Sequence, residues 1–300
     1  MREWPTALER LRGTVGVWTY AHEAVAADEV GEMAADLESL GYSAQWINES
    51  WGREAVSSAS LLLAATSSMV VATGIASIWA RDAVAAVNAA RTFGAAYDDR
   101  FVLGLGVSHR PLVERLRGHV YERPVEAMRA YLAAMDAAPM MANEAHHRYP
   151  RVLAALGPSM LRLGAEMTDG VLTYLVTTEH TAQARDLIGD AFLGVEQSVV
   201  LGQDREEFLR RAHAHLEHYT GLPNYTNSWR RLGFADADFV RGGSERLCDA
   251  IVLHGDVDAV RERVDEHRSA GANHVCLQIL GTDLVTAPRE EWRRVAGTLG

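Results

Sequence analysis

The feature of this sequence that most limits its fold is a regular alternation of two kinds of segment. Short runs rich in β-branched and aromatic residues alternate with longer segments in which Ala, Leu, Glu and Arg recur at helical spacing. This alternation is typical of βα units around a parallel sheet. The candidate strands are Thr14–Trp18, Ala44–Asn48, Met69–Ile78, Phe101–Val107, Arg151–Leu156, Gly170–Leu175, Glu196–Leu201 and His274–Leu280.

Eight strands in strict alternation favour a closed (β/α)₈ barrel over a doubly wound sheet, and such a barrel accommodates 300 residues as a single domain. The alternation is interrupted at about 221–253, where Pro223, Asn224, Asn227 and Trp229 occur close together. We predict that this segment is an insertion between the seventh and eighth strands that could act as a lid. Because active sites of barrels lie at the carboxyl ends of the strands, candidate site residues are sought there.

The composition excludes several kinds of function. The sequence contains no Lys, which excludes Schiff-base chemistry and a GxxxxGK[ST] nucleotide loop. The formal charge of −11 argues against a nucleic-acid partner. Cys248 and Cys276 lack CxxC spacing and are expected to be buried thiols of a cytoplasmic protein. The sequence shows neither a signal peptide nor an apolar run of about 18 residues, so we expect no membrane partner. We expect the ligand to be a small molecule.

Two strand ends carry candidate residues of a binding site, although the glycines of the fourth strand would equally suit a tightly packed strand end. The fourth strand contains Gly104 and Gly106 and ends in Ser108 and His109. A dinucleotide-binding GxGxxG motif is excluded because His109 stands where its third glycine is required. The fifth strand ends in Gly-Pro-Ser at 157–159, where a helix begins, and free amides at a positive helix end form a natural anion site. A simply capped helix would show the same pattern.

Three longer segments occur in an order and spacing that resemble one family. They are ATGIASIWARD from Ala72, RFVLGLGVSH from Arg100 and LAALGPSMLRLGAEMTDGVLTYL from Leu153. Over Gly13 to Leu280 the chain resembles the bacterial luciferase-like superfamily, and within it the actinobacterial oxidoreductases that use coenzyme F420. The resemblance implies a (β/α)₈ barrel, a homodimer, and a hydride transfer between the deazaflavin F420 and a small organic substrate.

The resemblance also implies which residues bind the cofactor. Relatives have a non-prolyl cis peptide in a bulge of the third strand, against which the deazaflavin ring rests, and the match places it at Gly74–Ile75. Relatives bind the cofactor phosphate with the ends of the fourth and fifth strands. In this sequence those residues are Val107, Ser108, Gly157, Pro158, Ser159 and Met160.

Candidate catalytic residues follow from the same match. Relatives place an acid, often followed by His, at the end of the second strand, where this chain has Glu49 and Ser50. His109 occupies a position at which some relatives carry an acid, and imidazole can exchange protons near neutral pH. We therefore predict Glu49 and His109 as catalytic residues. Three indoles near strand ends are expected to line an apolar pocket: Trp18, Trp46 and Trp79. For each of them taken alone, packing in the mouth of the barrel would explain the position equally well.

Two other functions remain open at this point. The same fold can use FMN and O₂ in a monooxygenase reaction, because a flavin forms the oxygen adduct that a deazaflavin does not. A barrel can also lose its chemistry and keep its cofactor site. No metal site is expected. His146 and His147 are adjacent, and of His213, His215 and His218 only the last two share a helix face, with no carboxylate-rich partner set.

Overall fold

The computed structural model describes residues 2–139, 149–283 and 286–297. The described strands, all paired in parallel, are β1 (Thr14–Thr19), β2 (Ala44–Ile47), β3 (Val70–Thr73), β4 (Ala76–Ser77), β5 (Phe101–Gly106), β6 (Arg151–Ala154), β7 (Gly170–Thr173), β8 (Phe192–Leu201), β9 (Val252–Gly255) and β10 (His274–Ile279). The order runs β10-β1-β2-β3-β5-β6-β7-β8, and β8 pairs with β10. The eight strands on this path therefore close into the predicted barrel.

The helices alternate with these strands. They are α1 (Thr6–Arg10), α2 (Ala27–Ser39), α3 (Ala55–Ala65), α4 (Ala83–Ala96), α5 (Pro124–Asp136), α6 (Pro158–Met167), α7 (Thr178–Ile188), α8 (Arg205–Leu216), α9 (Pro223–Arg231), α10 (Glu245–Ile251), α11 (Val257–Ser269) and α12 (Arg289–Ala296). Several begin where a carboxylate accepts backbone N–H groups, as Glu54 does for α3 and Asp82 for α4. No helix in the described ranges is long and apolar enough to cross a membrane.

Two predicted strands differ from the observed ones. The run predicted as Met69–Ile78 is broken into β3 and β4 at Gly74–Ile75, where the peptide is cis, as expected. The strand predicted to start at Glu196 starts at Phe192. Gly194 weakens the strand pattern of the sequence there, but a Cβ at Gly194 would lie 3.1 Å from Leu172 Cδ1, so a small residue suits the tight packing.

The barrel interior is filled at its amino end. The short helix α1 places Leu8 and Leu11 there, fully buried, and Trp4 packs edge-on against Phe192. These residues belong to an interior cluster that includes side chains from β1, β2, β3, β5, β6, β7, β8 and β10. A second, larger cluster lies between the strands and the surrounding helices. Because the amino end is plugged, space for a ligand is left at the carboxyl ends of the strands.

The strand β8 is longer than its neighbours and pairs with three strands. Phe192–Val195 pair with β7, Gly194–Val199 pair with β10, and Ser198–Leu201 pair with β9. Ser198 and Val199 pair with both β9 and β10, so these two strands lie on opposite sides of β8. Helices α8, α9 and α10 leave the barrel after β8 and enclose an apolar cluster of their own. The segment predicted as an insertion, about 221–253, thus consists of α9, a 3₁₀ turn at Asp236–Phe239, α10 and the start of β9.

Candidate functional site

A cavity of about 660 Å³ opens at the carboxyl ends of the strands. This volume lies within the usual range for small-molecule sites, roughly 300 to 1,000 Å³. The residues predicted to bind the cofactor all line it: Gly74, Ile75, Val107, Ser108, Gly157, Pro158, Ser159 and Met160. The structure therefore brings together the ends of β3, β5 and β6, as the sequence motifs indicated.

One group of cavity-lining residues comes from the ends of β3, β5 and β6 and is rich in glycine; we call Gly74, Ile75, 106–108 and 157–160 the backbone wall. The carbonyl of Gly74 accepts a hydrogen bond of 2.7 Å from the Trp18 indole. A Cβ at Gly106 would lie 2.5 Å from Ile75 Cδ1, so a larger residue at 106 would displace Ile75. Ser108 has a φ of 57°, in the left-handed region. Small residues and special backbone angles thus keep this wall closely packed.

The helix α6 begins at this wall without a side-chain cap. Gly157 is the N-cap residue, Pro158 occupies the first turn, and no hydrogen bond to the Ser159 amide is found within the described ranges. The Arg231 guanidinium donates a 3.2 Å hydrogen bond to the Leu156 carbonyl and lies 3.8 Å from where a Cβ of Gly157 would be. A free amide, a helix N-terminus and a cation together suit a phosphate group.

Glu49 lines the cavity, but its carboxylate is already occupied. It accepts hydrogen bonds from the amides of Ala55 and Ser77, at 3.2 and 2.7 Å, and forms an ion pair with Arg81. Arg81 also pairs with Glu54. The observed partners make the Glu49 carboxylate a hydrogen-bond acceptor that joins β4 to the start of α3. The catalytic role predicted for Glu49 stays a prediction.

A second carboxylate at the cavity was missed by sequence reasoning. Glu23 lies in a 3₁₀ turn just after β1, and it accepts hydrogen bonds from Asn48 Nδ2 at 2.8 Å and Ser50 Oγ at 3.2 Å. Burial raises the pKa of Glu23 above its ordinary value. Three residues separate Glu23 from the end of β1, so the signal in the sequence was only an acidic residue in the loop that follows a strand.

His109 lines the cavity, as predicted for a residue at the end of β5. Its ring centroid is 6.2 Å from that of His218 and 5.8 Å from that of Tyr225, and its side chain bonds to Asn224. Burial, aided by His218, lowers the pKa of His109 to about 4. At neutral pH the imidazole is therefore uncharged and acts as a hydrogen-bonding group.

Of the three tryptophans predicted to wall the pocket, only Trp18 lines the cavity. Trp46 is fully buried within the barrel, where its Nε1 donates to His274 Nε2 at 3.1 Å. Trp79 lies behind the wall, and its Nε1 donates to the Val107 carbonyl at 2.9 Å. The predictions for Trp46 and Trp79 are corrected because neither ring lines the cavity: one indole bonds to the buried His274 and the other to the partly buried Val107 carbonyl.

A second group of cavity-lining residues carries large polar aromatic side chains. We call Tyr20, Tyr174, His215, Tyr219 and Tyr225 the side-chain wall. The Tyr219 hydroxyl lies 2.5 Å from that of Tyr20 and 3.2 Å from that of Tyr174, which donates to Gln278 at 2.7 Å. Burial raises the pKa of each of these tyrosines, so the wall is uncharged.

The segment predicted as a possible lid contributes to the cavity. Asn224, Tyr225, Asn227 and Arg231, all from α9, line it. Trp229 is fully buried, and its Nε1 donates to the Leu175 carbonyl at 3.1 Å. In the structure α9 is thus packed against the end of β7. Opening and closing of this segment stays a prediction.

The histidines considered as metal ligands do not cluster. His146 and His147 lie outside the described residues. His213 bonds to the Gly242 carbonyl, His215 to Ser198, and His218 lies at the cavity. Across residues 2–139, 149–283 and 286–297, no group of three His, Cys, Asp or Glu side chains could hold a metal ion.

The chain matches known proteins over almost its full length. The family model described as luciferase-like monooxygenase matches residues 11–274. A protein of Mycobacterium tuberculosis, provisionally named a coenzyme F420-dependent oxidoreductase, is 22% identical over 80% of this chain and 87% of its own length.

Solved structures share the fold. An F420-dependent secondary alcohol dehydrogenase bound to an F420–acetone adduct superposes with a TM-score of 0.73, at 11% identity, over 95% of this chain and 98% of its own. The oxygenating constituent of the 3,6-diketocamphane monooxygenase of Pseudomonas putida, in complex with FMN, gives 0.68 at 13% identity over 96% and 99%. Both likenesses support the barrel. With most of its length matched by the family model, the chain belongs to the luciferase-like monooxygenase family.

Proposed function

We propose that this protein is an F420-dependent oxidoreductase that transfers a hydride between the deazaflavin and a small, largely apolar organic substrate. The observation that carries the proposal is the division of one cavity into two unlike walls. A flat ring system fits against the main chain of the backbone wall, with its phosphate at the start of α6. The substrate then lies between that ring and the side-chain wall.

The residues present fit such a cofactor. Gly74 and Gly106 let Trp18 and Ile75 take their places at the cavity, since a Cβ at either glycine would lie within 3.0 Å of one of these side chains. The Ser159 amide and Arg231 supply the donors that a phosphate requires. When bound, F420 supplies two-electron hydride chemistry and forms no oxygen adduct. The provisional name of the mycobacterial relative supports the same assignment.

The electrostatics of the side-chain wall favour an uncharged substrate. The tyrosines keep their protons because burial raises their pKa, and burial lowers the pKa of His215 to about 3. A charged substrate would lose its hydration here without gaining an opposite charge. We propose that His109 donates a hydrogen bond to the reacting oxygen of an alcohol or carbonyl group.

A second candidate function is an FMN-dependent monooxygenase. It is favoured by the shared fold with the FMN complex of the diketocamphane enzyme, and the start of α6 would suit the FMN phosphate equally well. A cofactor-binding protein without chemistry is a third. The homodimer also stays a proposal, which sedimentation analysis would test.

Equilibrium titration separates the two cofactors. We expect F420 to bind at least tenfold more tightly than FMN when binding is followed by fluorescence quenching. Tighter binding of FMN would favour the monooxygenase. Hydride transfer is then followed from the absorbance of F420 with a panel of secondary alcohols, and of reduced F420 with the matching ketones. Tight F420 binding without any turnover would support the silent cofactor-binding protein.

A further inference from the structure

A buried acid lies beneath the side-chain wall and has no role in the cofactor site. Glu196 and Ser198 are two residues apart on β8, so their side chains point to the same face of the strand. Both are buried, Glu196 completely. An ionisable group fully removed from water is costly unless it is bonded or neutral, so its partners are informative.

The two oxygens of Glu196 have different partners. Oε2 accepts a hydrogen bond of 2.9 Å from the Leu175 amide. Oε1 lies 2.7 Å from the Ser198 hydroxyl. The amide has only a proton to give, so Oε2 is fixed as an acceptor. A proton on Glu196 therefore resides on Oε1, where it faces Ser198.

The chain of hydrogen bonds continues to the cavity. Ser198 Oγ lies 3.1 Å from Nε2 of His215, which stands on α8 and lines the cavity. No hydrogen bond to His215 Nδ1 is found in the described part of the chain. Glu196, Ser198 and His215 thus form a continuous path from a closed interior position to the side-chain wall.

In the described part of the chain, the other titratable groups that interact with Glu196 keep their own protons near neutrality. The titratable side chains that face it come from β10, from α9 and from the segments that follow β1 and β7, and they are Cys276, Tyr225, Tyr20 and Tyr174. Burial raises the pKa of all four, so each is protonated near neutrality. Burial also raises the pKa of Glu196 to about 7. Among Glu196, the cysteine and the three tyrosines, Glu196 is therefore the group that changes charge near neutral pH.

We propose that Glu196 supplies the proton for carbonyl reduction through Ser198 and His215, with His215 the catalytic residue that touches the substrate oxygen. This inference rests on the proposed function. His109 does not provide such a route, because the side chains that surround it, Asn224, His218 and Tyr225, include no acid.

The step balances without a charged imidazole. As the carbonyl carbon gains a hydride and its electron pair from the reduced deazaflavin, the substrate oxygen takes the proton of His215 Nδ1. Nε2 then takes the proton of Ser198, and Ser198 takes that of Glu196. The substrate becomes an alcohol, Glu196 becomes a carboxylate, and His215 changes tautomer while staying neutral. This suits an imidazole whose pKa burial lowers to about 3.

The path predicts a signal in the protein without cofactor or substrate. While Glu196 is protonated, Ser198 donates to Nε2 and the His215 proton is on Nδ1. Once Glu196 ionises, Ser198 donates to the carboxylate, and the His215 proton moves to Nε2. Nitrogen NMR of ¹⁵N-histidine-labelled protein, assigned with His215→Asn, should show a neutral ring that switches tautomer with a midpoint near the Glu196 pKa of about 7.

Variants test each link of the path. Glu196→Gln and Ser198→Ala should each abolish the switch, and Ser198→Thr should restore it by keeping the hydroxyl. The matched control is Thr181→Val, which removes a hydroxyl bonded at 2.9 Å to the buried His267, away from the cavity. It should leave the His215 signal unchanged. A His215 tautomer that does not respond to pH, or that still switches in Glu196→Gln, overturns the proposal.

A kinetic arm separates this inference from the proposed function. With reduced F420 and the ketone that the panel identifies, Glu196→Gln should lower kcat at least tenfold. Its rate should lose the ionisation near neutrality, while its Kd for F420 stays within twofold. Turnover that is insensitive to Glu196→Gln refutes the relay alone. A tautomer switch in a protein that never transfers a hydride refutes the proposed function, and the catalytic use of the relay with it.

Discussion

The two walls of the cavity are built on different principles. The backbone wall comes from the ends of neighbouring strands, and its glycines at 74 and 106 are required by close packing against Trp18 and Ile75. The side-chain wall presents large rings held by hydroxyl-to-hydroxyl contacts that join segments as far apart as Tyr20 and Tyr219. A wall of main chain suits a cofactor whose shape does not change between relatives. A wall of side chains can be altered residue by residue, which suits a variable substrate.

The largest effect is expected just behind the backbone wall, at Gly104. A Cβ there would lie 1.8 Å from the Thr73 carbonyl oxygen, which cannot move without breaking β3. Gly104→Ala should lower the free energy of unfolding by at least about 3 kcal/mol, the upper range for overpacking. Urea unfolding measures it.

Gly157→Ala is the matched control within the wall itself. Its Cβ would meet only Arg231 Nη2 at 3.8 Å, and the φ of −95° is allowed for alanine. Stability should change by less than about 1 kcal/mol, while cofactor affinity falls because the methyl group crowds the start of α6. Equal losses of stability in Gly104→Ala and Gly157→Ala would contradict the expectation that Gly104 is needed for packing and Gly157 for cofactor binding.

Acid should destabilise the protein through its buried imidazoles. Burial lowers the pKa of His22 and His109 to about 4, and of His215, His267 and His274 to about 3. Below an unfolded pKa of about 6.5 the unfolded chain binds more protons than the folded one, so stability falls as pH falls, by up to about 1.4 kcal/mol per pH unit for each histidine.

Glu196 acts in the opposite direction, because its raised pKa of about 7 lets the folded chain hold a proton that the unfolded chain has lost. It offsets roughly one histidine between pH 4.5 and 7. We therefore expect the free energy of unfolding to be at least about 3 kcal/mol lower at pH 5 than at pH 7. Urea unfolding at both pH values measures the difference, and equal stability would show that the imidazoles are not held neutral.

Ser159→Asp tests whether the backbone wall binds an anion. A carboxylate in the first turn of α6 is favourable for the helix, by about 0.3 to 1 kcal/mol, but it repels a bound phosphate. Thermal melts of the cofactor-free protein should therefore stay level or rise, while F420 affinity falls at least tenfold. Ser159→Asn is the uncharged control. Unchanged F420 affinity in Ser159→Asp would show that residues 157–160 are an ordinary helix start and not an anion site.

The smallest effect is expected in the side-chain wall. Tyr219→Phe removes the hydroxyl that joins Tyr20 and Tyr174, and it should cost about 1 kcal/mol of stability. Tyr225→Phe is the control, since no hydrogen bond to its hydroxyl is found within the described ranges. Cofactor affinity should stay unchanged in both, because neither ring belongs to the backbone wall. A large loss of F420 binding in Tyr219→Phe would show that the two walls are not independent.

The same contrast explains which parts of the site were predictable. The backbone wall follows from local signals: glycines near strand ends, and Gly157-Pro158 where a helix starts. The side-chain wall has no local signal, because Tyr20, Tyr174 and Tyr219 come together only when the barrel closes. Glu196 falls in a strand that was predicted, yet the Leu175 amide that it binds and the His215 ring that Ser198 reaches are on other elements.

The tryptophans show a second limit of sequence reasoning. Trp18 and Trp46 are register partners on neighbouring strands, and both point into the barrel. One indole bonds to the Gly74 carbonyl at the cavity and the other to His274 deeper inside. Strand position determines the face on which a side chain lies. It does not determine which hydrogen-bond acceptor the indole reaches. The acceptor distinguishes Trp18, which lines the cavity, from Trp46, which does not.

The strand β8 pairs with β10 on one side and with β7 and then β9 on the other, which has a consequence for how this protein can diversify. The barrel is closed by the pairing of Gly194–Val199 with His274–Ile279, and none of those hydrogen bonds involves residues 202–256. That stretch nevertheless supplies His215, Tyr219, Tyr225 and Arg231. Recombination that exchanged residues 202–256 as one unit would therefore replace most residues of the side-chain wall in a single event. The pairing of β8 with β10 that closes the barrel would not change.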